Sequence, residues 1–541
     1  MMLRRDYRRS IIFGMVAFAA VFLFMALAVA ALLSFDSGAS VTGISDAYTL
    51  RILRFTLYQA MLSTVLSIVL GLPVALALSR RKDFPGRIWI IRLMAVPMGL
   101  PVIVGAFGII AIWGRQGVLN TALVFIGADE PFSIYGLSGI LVAHVFFNLP
   151  LAVRLMLAGL ERIPGEYWRM AASLGMGQVS VFRFIEWPAV SKLVPGIAGL
   201  IFMLCATSFT LVLLLGGGPA ATTLEVAIYQ TLRFDFDPQR AIALSVLQIV
   251  LTAVLLGLLA FFPSPEAEIS SLGRPISRFD GKTASARLWD GTAILFAVLL
   301  VGLPLVAIAV SGLRADLPRL LAAPVFLQAM ATSLAIAVLS AALVLLCCMA
   351  IIGARQAVRS KRQATWPLRS LSAMLGAGSS LVLLVPPVVL GSGWFLLLRP
   401  FGDVSVYAPV LVAFINMLMA LPLAMRVLEP AFTSHFLRTG QLSASLGLQG
   451  LTRLRFADLP VLWRPLLMAF SFAMALSLGD LGAVALFGSE NFVTLPWLVY
   501  SNMGSYRTND AAGYAFILGV ICLLLAAGGV SRQSQSARAS I

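Results

Sequence analysis

The chain has 541 residues, of which 60% are hydrophobic and only 11% charged, where an ordinary soluble domain carries roughly a quarter charged residues. Thirty-nine Lys and Arg against 23 Asp and Glu leave a net charge of +16. This excludes a soluble multidomain protein and a disordered chain, and four scattered cysteines exclude a disulfide scaffold. A polytopic membrane protein remains.

A membrane helix needs about 20 mostly apolar residues, each rising about 1.5 Å through a core about 30 Å thick. The first candidate, 11–33, follows Arg4, Arg5, Arg8 and Arg9. It is longer than the about 7–15 residues of a signal core, so it reads as a retained first span. Further spans are predicted at 55–79, 93–114, 134–154, 194–215 and 241–263. The polar stretch 264–288 interrupts the series, and six more follow at 291–313, 326–353, 374–398, 408–428, 465–487 and 511–530.

Twelve spans put both termini on one side. If that side is the cytoplasm, the segments 1–10, 79–92, 154–192, 264–288, 354–370, 426–464 and 531–541 hold 30 of the 39 Lys and Arg. The asymmetry follows the positive-inside rule. It explains the basic charge by a lipid bilayer, without nucleic acid.

An internal repeat comes next. LPLAVR at 149–154 returns as LPLAMR at 421–426, and ASLG occurs at 172–175 and 444–447. Arg183-Phe184 returns as Arg455-Phe456 and Pro188 as Pro460, all at an offset of 272 residues. Upstream, PVIVG at 101–105 resembles PVVLG at 387–391, at an offset of 286. Hydrophobic bias cannot produce matching Arg, Gly and Pro in a cytoplasmic loop. The chain therefore reads as two six-helix repeats, 1–263 and 289–541, joined by a linker at 264–288. An even number of spans per repeat makes the copies parallel.

The repeated loop lies between the fourth and fifth spans of each half. It reads IPGEYWRMAASLGMGQVSVFRFIEWP at 163–188 and HFLRTGQLSASLGLQGLTRLRFADLP at 435–460. Each copy predicts a short helix, a turn at Gly175 or Gly447, and a second helix ending at the proline. Short helices joined to spans by tight turns transmit a push that a loose linker would absorb.

These loops resemble the EAA loop of binding-protein-dependent ABC importer permeases. Arg169, Met170 and Ala171 stand at the E-A-A positions, with Gly175, Ile185, Trp187 and Pro188 completing the first copy. The second has Gln441, Leu442, Ser443, Gly447, Ala457, Leu459 and Pro460. The glutamate is missing from both; Glu166, one turn earlier, is a substitute in the first copy only. The stretches 216–241, HVFFNLP at 144–150, WGRQG at 113–117 and GSYRTNDAA at 504–512 resemble permeases of thiamine and thiamine pyrophosphate importers. Fused ferric-iron permeases share the architecture and parts of these stretches, so ferric iron is the alternative cargo.

The resemblance implies an all-α polytopic fold of the MetI-like ABC importer permease type, with about 12 transmembrane helices in a bacterial inner membrane. It implies two copies of an ABC ATPase subunit, one under each loop, and a periplasmic thiamine-binding protein. Transport would proceed by alternating access. ATP and Mg belong to the partner ATPase, and this chain is expected to bind no cofactor and catalyse no reaction. A phosphate-binding loop needs G-x-x-x-x-G-K-[ST]. The near match Gly281-Lys282-Thr283 has Ile276 in place of the first glycine.

Isolated polar residues complete the reading. Asp480 lies inside an apolar span between Gly479 and Gly482. It is either a cap on a broken helix or a group on the translocation path that attracts a cation. His144 and Asn148, one turn apart, are either packing residues or substrate contacts. The second histidine, His435, lies in a cytoplasmic loop, so no histidine-based metal cluster is expected. Cys205, Cys347, Cys348 and Cys522 lie in spans as small packing residues. The outward loops 216–240 and 488–510 carry Glu225, Tyr229, Asp235 and Asp237 in one and Glu490, Trp497, Tyr506 and Asp510 in the other. They are either a docking surface for the binding protein or solvated interface loops. The rival class is an ion-driven secondary transporter, but the loop at 79–92 lacks the G-x-x-x-D-R arrangement of its best-known superfamily.

Overall fold

The computed structural model describes residues 2–34, 46–115, 117–127, 133–261, 278, 283–359, 365–448, 450–489 and 492–530. Among them the one extended pairing is a single bridge between Ser489 and Phe492. The spans are built on α1 (Met2–Ser34), α2 (Ala47–Arg80), α3 (Val102–Trp113), α4 (Leu137–Glu161), α5 (Val194–Ala206) and α6 (Pro238–Ala260). They continue with α7 (Ala284–Arg314), α8 (Pro324–Arg359), α9 (Pro387–Leu398), α10 (Ala408–Ser445), α11 (Leu459–Gly479) and α12 (Thr508–Val530). Ten helical stretches among the described residues are long and apolar enough to cross a membrane. The pair Gln178–Ser191 and Val194–Ala206, bent by 53°, makes an eleventh, and the shorter apolar stretch Pro387–Phe401 stands at the ninth predicted span. The fold is all-α and polytopic, with a helix at each of the twelve predicted places.

Two pairs of spans are broken where the sequence reading drew them continuous. The third and ninth restart at Pro101 and Pro386–Pro387, after Leu100 and Val385 in extended backbone. Proline's ring excludes α-geometry from the residue before it, so the repeated proline repeats the break. The fifth and eleventh break at Thr207–Phe209 and Asp480–Leu481, then resume as Thr210–Leu215 and Gly482–Phe487.

The chain forms two compact units. One comprises Ile44–Ala227 and Val250–Arg314. In it α2 packs along α4, while α7 packs against α2 and α3. Gly108 is required there, because a Cβ would stand 2.6 Å from the Pro304 carbonyl oxygen. The other unit comprises Met1–Gly43, Ile228–Ile249 and Ala315–Ile541. In it α1 packs on α8 and α9, and α8 packs on α10 and α11. Gly393 lets α9 lie against the Ala28 carbonyl. Each unit thus takes its first span from the other side of the linker: α1 joins the second set of spans and α7 the first. Apolar side chains such as Val16, Leu23, Val69 and Leu346 remain exposed, as on helices that face hydrocarbon.

Candidate functional site

In the first repeated loop, Gly165–Ser173 forms a short helix that ends at Leu174. Gly175 turns the chain at φ +62. The Met176 N–H closes the turn on the Ala171 carbonyl at 3.0 Å. The second loop matches: Gly447 has φ +68, and the Leu448 N–H reaches the Ser443 carbonyl at 3.0 Å. These are glycine-terminated helix ends. Behind the turn Trp168, Ala171, Val181 and Ile185 pack into a small core. Ala171 and its counterpart Ser443 are both buried, and in the first loop the second arm lies on the small third E-A-A position.

Two details depart from the sequence reading. The second arm does not end at the proline. Phe182–Glu186 and Leu454–Asp458 widen into π turns, and the helix then continues through Pro188 and Pro460. A proline ring would strike the carbonyl four residues back in an α-helix, and the wider turn removes that collision. The first arm of the second loop is the end of the 38-residue α10 rather than a separate short helix. In the first loop Pro164 ends the preceding helix; Phe436 stands at that place in the second and lets the helix run on.

Both loops present the same exposed apolar positions: Met170 and Leu442, Leu174 and Leu446, Phe184 and Phe456. Glu166, Arg169 and Pro188 are exposed beside them in the first loop, and Pro460 in the second. Gln441 lies on α10, with its side chain outside the described residues. Sequence reasoning missed one matched pair, Glu186 and Asp458, two residues before each proline. The constant offset of 272 was the signal that carried them. Glu186 is fully buried. Asp458 Oδ1 pairs with His435 Nε2 at 2.9 Å, and its Oδ2 stands 3.4 Å from Arg453 Nε.

The isolated polar residues of the spans join helices. His144 Nδ1 pairs with Ser63 Oγ at 2.9 Å, Asn148 Nδ2 donates to Cys205 Sγ at 3.3 Å, and Gln59 Nε2 donates to the Cys205 carbonyl at 2.9 Å. The other unit repeats the knot at corresponding positions. Asn416 Nδ2 donates to Ser477 Oγ at 2.9 Å, and Ser477 Oγ donates to Ser340 Oγ at 3.3 Å. Half-buried Asp480 accepts from the backbone N–H groups of Gly482 at 3.1 Å and Ala483 at 3.2 Å, which caps the resumed helix. The four cysteines are free. Among the described residues no cluster of three His, Cys, Asp or Glu is placed to hold a metal ion.

On the opposite side, the helices Leu224–Arg233 and Leu495–Gly504 precede the last span of each half. Leu224 N–H is held by Thr56 Oγ1 at 3.1 Å in one unit, and Leu495 N–H by Ser333 Oγ at 2.8 Å in the other. Phe236 and Tyr506 follow, with φ of +53 and +60, the two non-glycine residues at positive φ among those described. Both rings are exposed, at 74% and 92%. Glu225 and Tyr229 are buried while Asp235 is exposed. Burial raises the Tyr229 hydroxyl well above its ordinary pKa. Glu490, Gln116 of the WGRQG stretch, and Gly281 and Lys282 of the near phosphate-loop match lie outside the described residues. Thr283 accepts from the Ala286 N–H at 3.3 Å, as a cap at the start of α7.

Comparison with known proteins gives three findings. Residues 67–263 match the family of binding-protein-dependent transport system inner membrane components. The thiamine transport system permease protein ThiP of Brucella abortus (strain 2308) is 48% identical over 91% of this chain and 88% of its own. ThiP of Escherichia coli (strain K12) is 43% identical over 89% of this chain and 88% of its own.

Proposed function

Because the chain belongs to the ThiP family of binding-protein-dependent transport system permeases, we propose that it carries thiamine and thiamine pyrophosphate across the inner membrane as the permease subunit of an ATP-driven importer. The protein itself is a multi-span membrane permease and not an enzyme. Two ATPase copies, which bind ATP and Mg, dock under the loops at 163–188 and 435–460. Both termini are cytoplasmic. A periplasmic thiamine-binding protein delivers cargo to the outward loops around Phe236 and Tyr506.

The carrying observation is the pair of stiff loops with matched exposed apolar positions at one offset. A rigid helical hairpin with an apolar outer face suits a force-bearing contact. ATP drives the cycle only by binding the two access states with different affinity. Closure of the ATPase pair draws the loops together and opens the spans outward; hydrolysis restores the inward-facing state. Asp480 in one unit, and His144 and Asn148 in the other, are the candidate polar groups on the path.

The test is labelled thiamine uptake in cells lacking their own transporter, expressing this chain with its ATPase and binding protein, beside ferric iron as parallel cargo. Thiamine uptake abolished by Gly175→Pro with Gly447→Pro is the expected result. Iron uptake would replace the cargo, and thiamine uptake without the ATPase would overturn the mechanism. D480N is expected to lower uptake at unchanged membrane abundance; unchanged uptake removes Asp480 from the path.

A further inference from the structure

The foot of the first loop holds a buried charge network that the transport cycle above does not use. Glu186 is 0% exposed. Its Oε1 accepts from Arg278 Nη2 at 2.7 Å, and its Oε2 stands 3.8 Å from Arg80 Nη2. Arg80 Nη1 also donates to Asp290 Oδ1 at 2.7 Å, and Arg81 Nε donates to Asp290 Oδ2 at 2.9 Å. Arg278 Nη1 reaches Ser79 Oγ at 3.4 Å, and its guanidinium lies 3.9 Å over the Trp168 ring. Three arginines and two acids thus connect four places: the linker, the repeated loop, the end of α2 and the start of α7.

Trp168 belongs to the first arm of the loop and Glu186 to the second. Arg278 holds both at once. A carboxylate removed from water persists only where charge and hydrogen bonds replace the water. A planar guanidinium can pair with an acid while stacking on an indole; a lysine keeps the charge but lacks the flat fork. The second loop is built differently. Its acid, Asp458, is held by His435 and Arg453, which belong to that same loop.

We propose that Arg278 is a positioning residue: it fastens both arms of the first coupling loop to the end of α2, which Arg80 and Arg81 join to the start of α7, so that a displacement of the loop moves those spans with it. The mechanical half of this inference rests on reading 163–188 as a coupling loop. It makes the two loops unequal: the acid of the first is tied to the linker, and the acid of the second pairs with His435 and Arg453 of its own loop.

The experiment is hydrogen exchange by mass spectrometry on the full chain in lipid nanodiscs, which requires no ATPase. R278Q is expected to speed exchange of amides 178–187 by about tenfold while leaving 450–459 unchanged. R278K, which keeps the charge and loses the fork, is expected to fall between. Unchanged exchange at 178–187, or equal acceleration in both loops, overturns the proposal. If R278Q fails to accumulate, R278K decides in the same way.

In the complex with ATPase and binding protein, R278Q is then expected to lower thiamine taken up per ATP hydrolysed by about fivefold. An unchanged ratio overturns the transmission role. Wild type that shows no uptake at all, with the exchange result intact, would sink the transport reading and leave the fastening in place.

Discussion

Phe236 and Tyr506 hold left-handed backbone that costs an L-residue about 1–2 kcal/mol, yet both rings point into solvent and contribute little burial to offset it. Strain at matched positions, each just before the last span of its half, makes these two turns the place to test for a contact with the binding protein. F236G and Y506G should therefore raise the thermal midpoint while weakening association with the binding protein, read by melting and by binding to the purified permease. A lowered midpoint with unchanged binding would assign the rings to the fold. Asp480 offers the complementary case. D480A strands two backbone donors and should cost about 0.5–2 kcal/mol, whereas D480N keeps one acceptor and should cost less; parallel melting curves separate them. The cap was legible beforehand, since Gly479 and Gly482 flank the acid. The partners of His144 and Glu186 were not. Ser63 stands 81 residues from His144, and Arg278 stands 92 residues from Glu186. Packing decides such pairs, and an arginine in a polar linker reads as solvated until the acid beneath it is seen.

Local chemistry governs the elements. A proline at Pro101 and another at Pro386 break the third and ninth spans alike, and the difference between Pro164 and Phe436 decides whether the first arm of each loop is separate or continuous. The turns at Gly175 and Gly447 were readable because left-handed backbone favours glycine. The π turns were not, because the proline signals a stop and only the continuing helix shows how the stop is absorbed. The exposed apolar ridge of each loop makes its own prediction. M170D combined with L442D places a carboxylate on both ridges. It should reduce co-purification of the ATPase at least about tenfold, the effect of roughly 1.4 kcal/mol, without lowering permease abundance. Retained co-purification would move the docking contact off Met170 and Leu442.

At the scale of the molecule, the length of the apolar runs foretold where helices stand, with ten or eleven of them among the described residues long and apolar enough to cross a membrane, but not their partners. Hydropathy places a helix in a membrane without saying which helix it touches, and α1 and α7 both join spans from the far side of the linker. Neither sequence half then holds a complete compact unit. Expressed separately, 1–282 and 283–541 should each fail to accumulate, while co-expression should yield both in one complex, as judged by affinity capture of one half. Accumulation of either half alone, with native-like protection from proteolysis, would contradict that dependence.

The placement of α1 also sets a schedule for synthesis. Roughly 290 residues separate its end at Ser34 from Pro324, where α8 begins. At about 5–20 residues per second, the first helix waits about 15–60 s in the bilayer before its main neighbour leaves the ribosome. Slowed translation of the middle of the gene should lengthen that wait and expose the newborn N-terminal segment to membrane proteases.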